Sequence, residues 1–322
     1  MSEISEMSDK SELSESSDSF QPTSIIILNS KSGCRMAQKT FMKWLRSHPH
    51  VPILIYYCDS KFSEFLTVHD TYLPNIQSIL LFGGDGTIHN VLNELLEHSL
   101  QIPMILYPIG SGNGLYHSLN HYYQSSSLSL QHPVSVNLLN MTIRQHQIER
   151  TLHSVLSMTW GIISDIDLRT EWLRWLGNFR FDMGGLWYIL RKLSYHGTLT
   201  YQTETNESVT ISKPFISVWA SNTPYLTKHT MASPKSVVND GWIYLCYIVQ
   251  PITRIQLAIV LLQLSNGTFI KHPYVHYVKT RSFSLTIQNG TLMIDGEHYQ
   301  NITSLSATMD PEKTYPFQIS ND

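Results

Sequence analysis

Residues 78–87 read Ser-Ile-Leu-Leu-Phe-Gly-Gly-Asp-Gly-Thr. An apolar run ending in a Gly-rich turn fits a buried strand, because strands covered on both faces are apolar throughout rather than alternating. The turn leads into Ile88, Val91, Leu92, Leu95 and Leu96, spaced i, i+3, i+4, i+7, i+8 along one helix face. The same grammar extends outward. Upstream, 24–28 is a β-branched run, 36–46 reads as a helix, 53–57 as a strand and 62–68 as a helix. Downstream, 102–107 is another apolar strand closing on the turn Gly110-Ser-Gly-Asn-Gly114. Alternating strand and helix predict an open, mostly parallel sheet with helices on both faces.

Past a Ser-rich stretch at 125–129, read as a loop, the texture changes to short strands. They are expected at 153–160, 198–202, 209–212, 215–220, 242–249, 282–287 and 291–294, with helices near 182–194 and 253–264. This predicts a second, antiparallel β-sandwich domain. The expected division is a disordered acidic tail over 1–21, an α/β domain over 22–148 and a β-sandwich domain over 149–322, with the last residues able to return to the first domain. No internal repeat is visible.

The chain of 322 residues is 42% apolar, which excludes wholesale disorder. Its net charge of −3 is uneven: Met1 to Phe20 holds six acids and one lysine, leaving a balance of +2 elsewhere. Neither value is the basic footprint that nucleic-acid binding requires. Cys34, Cys58 and Cys246 make no paired framework, so a reducing, cytoplasmic setting is expected. The acidic N-terminus has no apolar core of a secretory signal, and the longest nearly unbroken apolar run, 255–264, is about half a membrane span.

Two Gly-rich turns follow two buried strands and open into helices. Glycine lets backbone approach a phosphate closely, and unpaired amides at a helix N-terminus face it. A single turn of this kind fits a tight strand-to-helix connection equally well; two, with Asp85 in the first and Asn113 in the second, favour a phosphate site. The spacing is not that of a Walker loop, and the second turn is not the dinucleotide Gly-x-Gly-x-x-Gly pattern. Asp85 is informative, since a carboxylate beside a triphosphate must hold Mg²⁺ or take a proton from an attacking hydroxyl. It also suits capping the helix that begins near Thr87.

Together, Asn29-Ser-Lys-Ser-Gly33, Gly83-Gly-Asp-Gly-Thr87 and Gly110-Ser-Gly-Asn113 resemble the diacylglycerol kinase catalytic superfamily, which includes sphingosine, ceramide and bacterial lipid kinases. The stretches 108–122 and 159–181 and the run Ile294-Asp-Gly-Glu297 are similar to the sphingosine kinase forms. The likeness runs from about residue 24 to about 314. It implies an α/β lobe, a β-sandwich lobe and ATP in the cleft between them. Asp85 would act on the attacking hydroxyl. ATP would be held by Asn29, Ser30, Lys31, Gly83, Gly84, Gly86, Thr87, Gly110, Ser111, Gly112, Asn113, Glu171, Arg174, Arg180, Asp295, Gly296 and Glu297. Asp167, Phe181 and the Gly83–Gly86 turn would meet the lipid, and Asp85 with Glu297 would hold Mg²⁺.

Physical chemistry is consistent with these implied roles. Arg174 and Arg180 carry planar forks suited to charge spread over a transferring phosphoryl group. An anion at Asp167 suits an amino-alcohol head, where ammonium and hydroxyl both donate to one carboxylate. The segment 179–195, rich in aromatic and aliphatic residues, fits a lid or acyl tunnel and equally a core helix. His117 and His121 lack a third ligand for a metal site. The implied function is an ATP- and Mg²⁺-dependent kinase of sphingosine or a related sphingoid base, peripherally bound at membranes. The rivals are a diacylglycerol or ceramide kinase, a soluble NAD kinase, and a catalytically weak lipid-binding relative. The last is motivated by Asn90, where sphingosine kinases place a Glu, and by the missing adenine-side Thr near 57–60.

Overall fold

The computed structural model describes residues 21–320 apart from 30–31, 33–35, 59–60, 127, 131 and 171–193. Four apolar runs, β1 (Ser24–Leu28), β2 (Ile53–Tyr57), β3 (Ser78–Gly83) and β4 (Met104–Pro108), pair in parallel in the order β2-β1-β3-β4. Both faces are buried. Ile26, Leu28, Leu80 and Phe82 meet Ala37, Phe41 and Trp44 of α1 (Met36–Ser47). Ile25, Ile27, Ile79 and Leu81 share a second core with α2 (Phe62–Val68), α3 (Asp85–Glu97) and α4 (Gly114–Ser126). The doubly covered parallel sheet predicted from residues 78–87 is therefore present. From β1 the chain moves one way to β2, and from β3 the other way to β4. Their carboxyl ends thus flank the crevice where such sheets bind ligands.

The sheet does not stop at β4. The strand β16 (Ile302–Ile319) runs parallel to β4 through Phe317–Ile319 and antiparallel to β5 (Val134–Gln145) along most of its length. β5 turns back into β6 (Ile148–Ser154). β13 (Ser282–Ile287), β8 (Gly197–Gln202) and β9 (Ser208–Ile211) continue on the other side of β16. Among the described residues this makes one ten-stranded sheet. A second, antiparallel sheet has the order β12 (Val275–Thr280), β11 (Ile243–Val249), β10 (Phe215–Ser221), β7 (Ser157–Gly161), β14 (Leu292–Ile294) and β15 (Glu297–Tyr299). The sheets share a core that includes Trp160, Phe215, Leu199 and Leu285. Two helices flank the second sheet: α5 (Ile162–Thr170) and α6 (Arg254–Gln263), whose start is a Thr253–Gln256 capping box.

Several expectations need correction. The strand read over 153–160 is two strands, broken at Val155-Leu156, where the amides of Val155, Leu156 and Ser157 turn toward one carboxylate, that of Asp295. The loop read over 125–129 begins later, since α4 runs through Ser126. Strands β5, β12, β15 and β16 were not foreseen. Within β16 the register against β5 shifts between Met309 and Thr314. The helix expected at 182–194 lies outside the described residues except for Ser194, which is not helical. No helix among the described residues is long and apolar enough to cross a membrane.

Candidate active site

The two Gly-rich turns touch backbone to backbone. The amides of Ile109 and Gly110 donate to the Gly83 carbonyl at 3.2 and 3.3 Å. A Cβ on Gly110 would stand 2.6 Å from Gly84 Cα and 2.8 Å from Asn113 Oδ1, so any side chain there would force the turns apart. Gly84 is the N-cap of α3 and no side chain caps that helix, which leaves its N-terminal dipole facing the crevice. At the end of β1, Asn29 Nδ2 donates to Thr87 Oγ1 at 2.8 Å. Asn113, at φ 51°, folds its amide back to the Gly110 carbonyl at 2.7 Å. Asn29, Gly83, Gly84, Thr87, Gly110 and Asn113 are thus gathered at the ends of β1, β3 and β4.

Asp85 lies between the turns, in the first turn of α3. It does not cap its own helix, as one sequence reading had it. Its Oδ2 accepts from the Gly114 amide at 2.9 Å and its Oδ1 from the Leu115 amide at 3.2 Å, so it caps α4. Gly112 admits the carboxylate, since a Cβ there would be 3.2 Å from Oδ2. Burial raises the Asp85 pKa from 3.8 to about 6; the Gly114 and Leu115 amides pull against it, and the charge of Asp295 adds to it. The group is a carboxylate at neutral pH with appreciable proton affinity.

The C-terminal Asp-Gly-Glu run is the turn joining β14 to β15. Ile294 pairs with Glu297, and Asp295 and Gly296 both have positive φ, 49° and 88°, the two-residue hairpin geometry that Asp-Gly favours. The hairpin packs on the first Gly turn: a Cβ on Gly86 would collide with the Glu297 carboxylate. Glu297 therefore reaches the site. Asp295, expected near nucleotide and metal, turns its carboxylate into the interior. It is fully buried and accepts from Ser154 Oγ (2.7 Å), three backbone amides (2.9–3.0 Å) and His89 Nδ1 (2.9 Å). Burial pushes its pKa up, but the His89 hydrogen bond and charge, with Ser154 and the Ser157 amide, outweigh that and hold it below the ordinary value.

His89 was missed in the sequence, although Asp85 and His89 stand i, i+4 on α3, one above the other. Its Nε2 lies 3.0 Å from the Tyr299 hydroxyl, so the helix carrying Asp85 is tied to both ends of the C-terminal hairpin. Asp167 on α5 meets the next residue of that hairpin, with Oδ2 3.2 Å from His298 Nε2. Ser30, Lys31, Glu171, Arg174, Arg180 and Phe181 lie outside the described residues, as does the 179–195 segment except Ser194 and Tyr195. The Tyr195 ring is buried and its hydroxyl donates to Asp165 at 2.9 Å.

Asp85 and Glu297 are acceptor-only oxygen donors, the set that suits Mg²⁺, which takes one or two carboxylates together with phosphate oxygens and water. Among the described residues no group of three or more His, Cys, Asp or Glu side chains is placed to hold a metal.

Residues 23–145 match the diacylglycerol kinase catalytic domain, and residues 157–314 match the YegS C-terminal NAD kinase beta sandwich-like domain. Together the two matches cover residues 23–314 except the stretch 146–156. It is 27% identical to Sphingosine kinase 1 of Arabidopsis thaliana over 81% of this chain, and spans 63% of that protein's length. It is 24% identical to human Sphingosine kinase 1 over 85% of both chains. The fold matches a diacylglycerol kinase of Bacillus anthracis str. Sterne with a TM-score of 0.60 at 13% identity, covering 93% of this chain and 97% of the other. The α/β lobe and the antiparallel sheet lobe of the superfamily are both present.

Proposed function

We propose that the chain is an ATP- and Mg²⁺-dependent lipid kinase that transfers the γ-phosphoryl group to the primary hydroxyl of sphingosine or a related sphingoid long-chain base. The observation that carries this reading is Asp85: a carboxylate seated between two Gly-rich turns in contact, with a pKa raised to about 6. Phosphoryl transfer asks a protein mainly to position the reactants and neutralise charge. Asp85 accepts the hydroxyl proton as the oxygen attacks. The uncapped N-terminus of α3, with Gly83, Gly84 and Gly86 lacking side chains, receives phosphate oxygens, and Gly110, Ser111, Gly112 and Asn113 form the facing wall. Asn29 and Thr87 fix each other at the rim. Mg²⁺ bound with Asp85 and Glu297 would offset charge on the transferring group. Glu171, Arg174 and Arg180 take the clamp roles that the superfamily motif implies for them.

The sphingoid substrate rests on the named relatives and on Asp167. Its Oδ2 lies 3.2 Å from His298 Nε2, on the hairpin whose Glu297 reaches Gly86, and one carboxylate can accept from both an ammonium and a hydroxyl. The lobe ending near residue 148 holds nucleotide in this reading, and the lobe after it holds lipid.

The test is radiolabelled ATP with sphingosine, ceramide and diacylglycerol presented in mixed micelles. Sphingosine is the expected acceptor; preference for diacylglycerol replaces the substrate and keeps the class. Asp85→Asn abolishes transfer while leaving ATP binding largely intact, and near-normal turnover of that variant removes Asp85 from the reaction.

A further inference from the structure

One face of α6 is apolar and uncovered. Ile255, Ile259 and Leu262, at i, i+4 and i+7, are 75%, 39% and 75% exposed. The opposite side, Leu257 and Val260, is buried in the core beneath the antiparallel sheet. A helix apolar all round belongs inside a core or in lipid, and only half of α6 is in a core.

Two further observations say what covers the other half. Lys271 is exposed and ends the 3-10 turn Thr268–Lys271 that packs on α6, Lys228 is exposed on the loop joined to the end of that helix, and the sequence has no Asp or Glu between Asp240 and Asp295. The face also stands close to the candidate site along the chain. The Met231 amide donates to the Leu264 carbonyl at the end of α6 (2.7 Å), and the Lys228 amide donates to the Gly112 carbonyl (3.0 Å). One short loop thus spans from the second Gly turn to α6.

We propose that the exposed face of α6 is a docking surface for an anionic lipid bilayer. Ile255, Ile259 and Leu262 enter the interface, and Lys228 and Lys271 meet the headgroups. This deepens the lipid kinase reading and rests on it, because a substrate dissolved in a bilayer must be taken up at its surface. Apolar insertion supplies adhesion and the surrounding positive charge selects anionic lipid, so binding weakens with salt.

Vesicle co-sedimentation of the full chain, without ATP or sphingosine, tests the surface separately from the chemistry. The wild type is expected to bind phosphatidylcholine–phosphatidylserine vesicles more tightly than phosphatidylcholine alone. Ile255→Ser with Leu262→Ser weakens that binding about tenfold or more, with thermal stability and turnover of micelle-dispersed substrate unchanged. Lys271→Glu, which leaves the apolar face intact, weakens binding only to the anionic vesicles. Wild-type protein that stays in the supernatant overturns the proposal, as does a double variant that sediments like the wild type. Conversion of a wild-type dimer to a monomer by the double variant, with vesicle binding unchanged, also overturns it and makes the face a contact between copies. A chain that docks through α6 yet transfers no phosphate refutes the kinase reading and keeps the surface.

Discussion

Asp85 holds its proton more tightly in the folded protein than in the unfolded chain. Burial is the main cause, and the Gly114 and Leu115 amides only partly reverse it. Because the native state then binds more protons than the unfolded state between the two pKa values, stability falls as pH rises through that window. The metal-free protein is therefore expected to lose stability relative to Asp85→Asn as pH rises from 3.8 to about 6, and to show no further relative change above it. Paired thermal melts across that range check this; a constant difference between the two proteins would show that the raised pKa is not real. Such a carboxylate is costly for folding, and perturbed groups of this kind cluster at functional sites. Its position was legible because Gly-Gly-Asp-Gly after an apolar strand has few physical readings. Asp295 was not, because Asp-Gly-Glu reads the same whether its first carboxylate faces a cleft or a core. Only the break after Ser154, with three amides turned inward, tells them apart.

The hairpin of β14 and β15 acts as an element through that buried carboxylate. It joins the β6–β7 corner, through Ser154 and three amides, to α3, through His89. Asp295→Ala leaves those donors unpaired in the interior, where each costs about 1–3 kcal/mol. The variant is expected to lose ~3 kcal/mol or more of stability, read from urea denaturation, with Asp295→Asn losing less because one acceptor oxygen remains. A loss below about 1 kcal/mol would mean that water or relaxation satisfies the corner without the carboxylate. The parallel strands and their helices were legible because strands buried on both faces read as unbroken apolar runs. β16 was not. It alternates, with Leu305, Ala307 and Met309 inward and Ser306 and Thr308 outward, and the Asp-Pro-Glu-Lys run in its middle carries the chemistry of a turn.

At the scale of the molecule, β5 and β16 make the two lobes one sheet. The first part of β16 pairs with β13, while its last residues pair with β4. Tyr315, Phe317 and Ile319 are 0%, 0% and 2% exposed, and they lie in the same core as Ile79, Leu106 and Val136 of the α/β lobe. The C-terminus of the chain therefore completes the lobe that begins it, and the crevice between the Gly turns and the Asp-Gly-Glu hairpin is braced from both sides by continuous strands. A cut near residue 148 strips β4 and β5 of their shared partner and opens the α/β core to water at three large side chains. The fragment 1–148 is accordingly expected to show no cooperative urea transition by circular dichroism, whereas the full chain unfolds with both lobes together. Mixing the fragment with separately expressed 149–322 should restore the transition, because the missing strand then arrives from the second piece. A cooperative transition of 1–148 on its own would place the folding unit inside the first lobe and reduce β16 to a tether. In that case the two lobes would be free to move apart without unfolding either one.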